Sequence, residues 1–238
     1  MANILFDALA GAQAEGAHEP HLVSRDQGGR ATLPAESNNG PNDTWLVTGI
    51  AAASLGYATL RYNVFKNVPW ADWPSYTLNK AVAVAALLLV VLSVARFALR
   101  GRSTGTFMLW AGGLALTHSL LSFGLLDPAY YPRLFVGTKL TFLAGLSIML
   151  GAALMTVMEI GARRSSRWTR PVQHAALAVT AFATGLHAAL PAVSTWLTPA
   201  TWPGGLPPLT LISFVSGSAA LFIWWFHPVT APLANPTH

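Results

Sequence analysis

Six long apolar stretches, separated by short polar loops, constrain this chain more than any other feature. They cover approximately residues 44–62, 76–98, 105–125, 136–158, 172–194 and 208–226. A helix needs about 20 mostly apolar residues to cross the hydrocarbon core of a bilayer. Each stretch approaches that length, and the second contains an unbroken apolar run from Ala81 to Leu92. The sequence therefore predicts an all-α integral membrane protein, a six-transmembrane-helix bundle with a polar N-terminal arm.

The charge content supports a membrane environment. Charged residues make up 10% of the chain and hydrophobic residues 53%, whereas charged residues are about 25% of an average soluble domain. The 14 Lys and Arg exceed the 9 Asp and Glu, an excess that indicates membrane topology rather than nucleic-acid binding. Because the chain has no cysteine, disulfides, thiolate metal sites and iron–sulfur clusters are excluded.

The stretches divide the chain into three parts. Residues 1–43 form a polar arm that lacks the basic start, long apolar core and small-residue cleavage site of a signal peptide. Residues 44–226 form the membrane domain, and residues 227–238 form a short tail.

The distribution of Lys and Arg in the loops predicts an orientation. Seven arginines lie in the connections after the second and fourth stretches, against five basic residues on the opposite side. Cytoplasmic loops carry the excess of Lys and Arg, so we expect both connections and both termini in the cytoplasm, with the chain in a bacterial-type inner (plasma) membrane. The seven are Arg96, Arg100, Arg102, Arg163, Arg164, Arg167 and Arg170, and the five are Arg61, Lys66, Lys80, Arg133 and Lys139.

His118 and His187 stand out because ionisable residues inside apolar segments are rare and usually functional. In the predicted topology the third and fifth segments run parallel, and at 1.5 Å per residue the two histidines differ in depth by about 3 Å. Two imidazoles at one depth can ligate a single iron from both faces of a porphyrin. A structural zinc site is disfavoured because no third ligand lies at that depth.

His174 opens the fifth segment, 13 residues before His187. That separation is about 19.5 Å along a helix, a distance that suits two stacked haems, but it turns the side chain by about 140°. Two interpretations stay open: His174 holds a second haem, or it lies at the membrane interface beside the arginine cluster and bonds a lipid phosphate.

Several short motifs resemble the ferric-reductase-like transmembrane family over roughly residues 44–226. This family includes the membrane cores of ferric reductases and NADPH oxidases and the haem subunit of the periplasmic methionine-sulfoxide reductase system. The similar stretches are Tyr76-Thr77-Leu78-Asn79-Lys80-Ala81, Leu109-Trp110-Ala111 followed by His118, Pro128-Ala129-Tyr130-Tyr131-Pro132, and Trp168-Thr169-Arg170-Pro171-Val172-Gln173-His174 followed by His187.

The resemblance implies haem b and electron flow across the bilayer. By position, His118 and His187 match the ligands of the outer haem, and His174 matches the inner-side histidine. The first histidine of the third segment is missing here, so one haem is expected and a second stays open. Arg133 and Lys139 lie on the outer side, where they either bind haem propionates or are ordinary helix-end cations.

Two further expectations concern partners. The chain stops twelve residues after the sixth stretch, so we expect no flavin-binding reductase domain in it, and a separate flavoprotein or a quinol as electron donor. The leading hypothesis is an electron-transfer haem subunit of an oxidoreductase. The alternative is a non-catalytic, haem-free subunit of a larger membrane redox or light-harvesting complex, and a small-solute transporter is a weaker third interpretation.

Overall fold

The computed structural model describes residues 41–100, 105–164 and 168–228. This part of the chain is mostly helical. Its six α-helices are α1 (Pro41–Thr59), α2 (Leu78–Arg100), α3 (Gly105–Gly124), α4 (Phe142–Arg164), α5 (Arg170–Ala189) and α6 (Leu209–Phe226). Two very short antiparallel strands, β1 (Phe135–Val136) and β2 (Lys139–Leu140), lie between α3 and α4.

Each α-helix overlaps one of the six apolar stretches, and the differences lie at the ends. The β1–β2 hairpin occupies the start of the fourth stretch, so α4 begins only at Phe142. The fifth helix ends at Ala189 rather than near residue 194, because Pro191 cannot continue a helix. The first helix begins at Pro41, so Asp43 belongs to α1 rather than to the arm. The rest of the arm, residues 1–40, and most of the tail lie outside the described residues.

Three segments of the described chain are long and apolar enough to cross a membrane: Trp70–Leu99, Gly105–Gly124 and Pro203–Phe226. A shorter apolar segment, Phe142–Met158, lies within α4. The structure thus supports an all-α fold with three candidate spans, where the sequence predicts six. The remaining helices are less apolar because α1 is rich in Ala, Gly, Ser and Thr, α4 ends in charged residues, and α5 carries several polar ones.

Helix α2 is the centre of the packing. It contacts α1, α3, α5 and α6, and its side chains Leu87, Leu89 and Val94 are fully buried. Helices α5 and α6 pack closest of all, because small residues let their backbones approach. A Cβ atom added to Gly217 would lie 2.5 Å from the carbonyl oxygen of Ala181.

Polar contacts fix how the helix ends meet. At one end, the Arg96 guanidinium of α2 pairs with the Asp43 carboxylate of α1 at 2.6 Å. At the other end, α1 finishes, α2 begins, α3 finishes and α6 begins. The Tyr57 hydroxyl there donates to the Pro207 carbonyl at 2.8 Å, and the Arg61 guanidinium donates to the Leu206 carbonyl. We call this second end the histidine end, because His118 and His187 lie there.

Candidate functional site

His118 lies near the end of α3 and is held by a buried side chain of α2. Its Nδ1 lies 2.7 Å from Oδ1 of Asn79, which is completely buried. The Asn79 amide nitrogen donates to Ser122 Oγ at 3.0 Å and to the Tyr131 hydroxyl at 2.9 Å. Because both amide hydrogens have acceptors, the amide oxygen faces His118 and accepts the proton of Nδ1.

His187 is held in the same way by a different element. Its Nδ1 lies 2.7 Å from the backbone oxygen of Ser147 in α4, and Ser147 Oγ donates to the His187 carbonyl at 2.9 Å. Gly151, one turn after Ser147, lies under the imidazole: a Cβ there would be 3.0 Å from His187 Cε1. Any side chain at position 151 would therefore press on the ring.

Both imidazoles thus present Nε2 as the free nitrogen. In each, Nδ1 carries the proton because an oxygen acceptor lies 2.7 Å away, and no hydrogen bond of Nε2 is found within the described residues. Metal-binding histidines are usually oriented by such a bond from the other ring nitrogen. No cluster of three or more His, Cys, Asp or Glu able to hold a metal ion occurs in residues 41–100, 105–164 and 168–228.

The two helices that carry these histidines both pack on α2 and scarcely contact one another. His118 and His187 both lie at the histidine end of the bundle, each toward the end of its helix.

The basic residues of the histidine end differ in position. Lys80 follows Asn79, the residue that orients His118, and its Nζ lies 4.4 Å from the centre of the Tyr131 ring. Arg133 is exposed in the loop before β1, and Lys139 is exposed on β2. Burial raises the pKa of Tyr131, an effect that its hydrogen bond with Asn79 opposes, so its hydroxyl stays protonated.

His174 lies toward the opposite end of α5, away from the pair. It has no exposed surface, and its ring stacks on Phe97 of α2, with centroids 5.5 Å apart and an interplanar angle of 19°. Neither ring nitrogen has a hydrogen-bond partner, although the Val94 backbone lies nearby. Because His174 has no exposed surface, its side chain does not reach the lipid-facing surface in this arrangement, and both interpretations of His174 stay predictions.

Sequence reasoning identified the two histidines but missed the residues that hold them. In the sequence, Asn79 belongs to a short motif and Lys80 is one of the basic residues counted for the orientation. Neither was predicted to contact a histidine, and Ser147 and Gly151 were not predicted as site residues. The available signals were a lone Asn at the start of an apolar helix and a Ser–Gly pair spaced by four residues, which places both on one helix face.

Comparison with known proteins adds no family assignment. No protein-family model matches the chain, and no curated protein matches it either.

Proposed function

We propose that this chain is a six-helix membrane cytochrome that carries electrons on one b-type haem, with His118 and His187 as the axial ligands. The observation that carries the proposal is the matched environment of the two imidazoles. Each has Nδ1 bonded to an oxygen at 2.7 Å and leaves Nε2 free. Two neutral imidazoles of this tautomer are suitable ligands for iron.

Each residue of the site would have a distinct role in binding the haem. His118 and His187 would hold the iron, while Asn79 and the Ser147 backbone would fix the planes of the two rings. Gly151 would leave room for the His187 ring to turn toward its ligand. Haem iron with two histidine ligands supplies reversible one-electron transfer rather than oxygen chemistry. His174 stacks on Phe97 and is not assigned a ligand role, so the proposal has one haem.

Exposed apolar side chains support a location in the membrane. On α3, Leu109, Leu116, Leu120 and Phe123 share one face, and each is more than half exposed. Lipid would cover such a face at no cost, whereas monomeric soluble proteins rarely expose large apolar patches. We propose that all six helices span an inner membrane with both termini cytoplasmic, and that the histidine end lies on the outer side.

This topology sets the direction of electron flow. A separate flavoprotein or a quinol would donate at the cytoplasmic side, near the basic connection from Arg163 to Arg170. An outer-side acceptor would receive the electron near the histidine end. Basic residues around the donor side would attract an acidic partner.

Haem content of purified variants tests the proposal. We expect about one haem b per chain in the unaltered protein and loss of the low-spin haem spectrum in His118→Gly and His187→Gly. Added imidazole should restore the spectrum, because it replaces the missing ligand. His227→Gly is the matched control, because His227 is exposed beyond the end of α6. A His118→Gly protein that keeps a full complement of low-spin haem without imidazole would contradict the assignment.

A further inference from the structure

Lys80 lies beside the histidine pair without an acidic partner. Its Nζ is 4.4 Å from the ring centre of Tyr131 and 5.3 Å from that of Tyr76. The Tyr131 hydroxyl accepts a hydrogen bond from Asn79, the residue that also orients His118. The ammonium group therefore belongs to the immediate surroundings of His118.

More positive charge accumulates around Lys80. Lys66 has Nζ 5.7 Å from the ring centre of Tyr62. The Tyr62 ring lies 5.5 Å from the Tyr76 ring, which Lys80 Nζ also approaches. Desolvation lowers the pKa of Lys66, and the charges of Arg133 and Arg61 lower it further. Like charges at low dielectric repel one another, whereas an anion bound among them would favour their charged forms.

Within the described residues, no ion pair joins Lys80, Lys66 or Arg133 to a carboxylate. The ion pair found there joins Arg96 and Asp43 at the opposite end of α2. Asp127, in the loop after α3, accepts from the backbone nitrogen of Ala129 at 2.7 Å. The three cations are thus available to an anion from outside the polypeptide.

We propose that Lys80, Lys66 and Arg133 form a carboxylate-binding site for the two propionate groups of the haem, which rests on the function proposed above. Lys80 is only partly exposed, so it suits a small ligand held in the bundle better than a docking protein. Arg61 has a different role, because its guanidinium is buried and donates to the Leu206 carbonyl. In this assignment Lys80 binds a haem propionate, a role that the sequence suggested for Lys139.

Titration of the purified apoprotein with two porphyrins tests this inference. Haem and haem dimethyl ester share the iron and ring, but the ester lacks the propionate charges. We expect the unaltered protein to bind haem at least about tenfold more tightly than the ester, the ratio that one charge-assisted hydrogen bond supplies. Lys80→Met should lower this ratio clearly, while Lys66 and Arg133 keep part of the preference for haem, and it should have a much smaller effect on the affinity for the ester.

The variant Lys139→Met distinguishes Lys80 from Lys139 as the lysine that binds a propionate. We expect it to keep the preference for haem over the ester that the unaltered protein has. A Lys80→Met protein that retains the full preference for haem, or a Lys139→Met protein that alone loses it, overturns the inference while haem binding by the histidines stands. Equal binding of both porphyrins by the unaltered protein overturns it in the same way. If His118→Gly and His187→Gly bind haem as the unaltered protein does, the proposed function fails, and the inference fails with it.

Discussion

Replacing Asn79 by alanine should weaken haem binding without removing either ligand. The Asn79 side chain makes hydrogen bonds of 2.7, 3.0 and 2.9 Å to His118, Ser122 and Tyr131. At a net value of about 1 kcal/mol each, their loss would lower the free energy of unfolding by about 3 kcal/mol. Loss of the bond that orients a metal-binding histidine typically weakens metal affinity by about 10- to 100-fold.

Ser147→Ala is the matched control on the other histidine. The acceptor for His187 Nδ1 is the backbone oxygen of Ser147, which alanine retains. The variant loses the Oγ bond to the His187 carbonyl at 2.9 Å and the Oγ contact with His187 Nδ1 at 3.1 Å, which together are worth about 1–2 kcal/mol of stability. We therefore expect Ser147→Ala to bind haem nearly as tightly as the unaltered protein.

Haem titrations followed at the Soret band, together with thermal unfolding in detergent, measure both effects. The reasoning predicts a large loss of affinity in Asn79→Ala and a small one in Ser147→Ala. Equal losses in the two variants, or unchanged affinity in Asn79→Ala, would refute the idea that the Asn79 amide orients His118.

Two predictions concern packing and charge within the bundle. Gly217→Ala should lower the free energy of unfolding by about 1–3 kcal/mol, because the new Cβ would lie 2.5 Å from the Ala181 oxygen. Gly112→Ala is the control, because no atom lies within 4 Å of its new Cβ. We expect thermal unfolding to show destabilisation of the first variant and not of the second. Removing either partner of the Arg96–Asp43 pair should destabilise the protein by about 3–5 kcal/mol, because the remaining charge is largely buried. A double-mutant cycle in which the two losses simply add would show that the pair makes no net interaction.

The six helices could be predicted because apolar composition is a local property of the sequence. The third and sixth stretches match α3 and α6 within one residue at each end. The β1–β2 hairpin was missed because its residues, from Phe135 to Leu140, include enough apolar side chains to extend the fourth stretch. The π-helical turns Leu60–Phe65 and Trp73–Thr77 have no comparable signal in the sequence.

The candidate site could be predicted only in part. His118 and His187 are conspicuous because they interrupt apolar helices, so composition alone singles them out. The partners of each histidine come from another helix, and such contacts depend on how α2 and α4 pack, which a single sequence does not specify. Asn79 and Lys80 begin α2, and their role becomes visible only when the end of α3 lies beside them.

The most direct test of the account is a dithionite-reduced minus oxidised spectrum of the detergent-purified protein, with the haem quantified as its pyridine haemochromogen. With His118 and His187 as axial ligands, we expect a low-spin b-type spectrum and about one haem per chain. Folded protein that contains no haem, and takes up none when haem is added, would contradict the account and favour a non-catalytic subunit of a larger membrane complex.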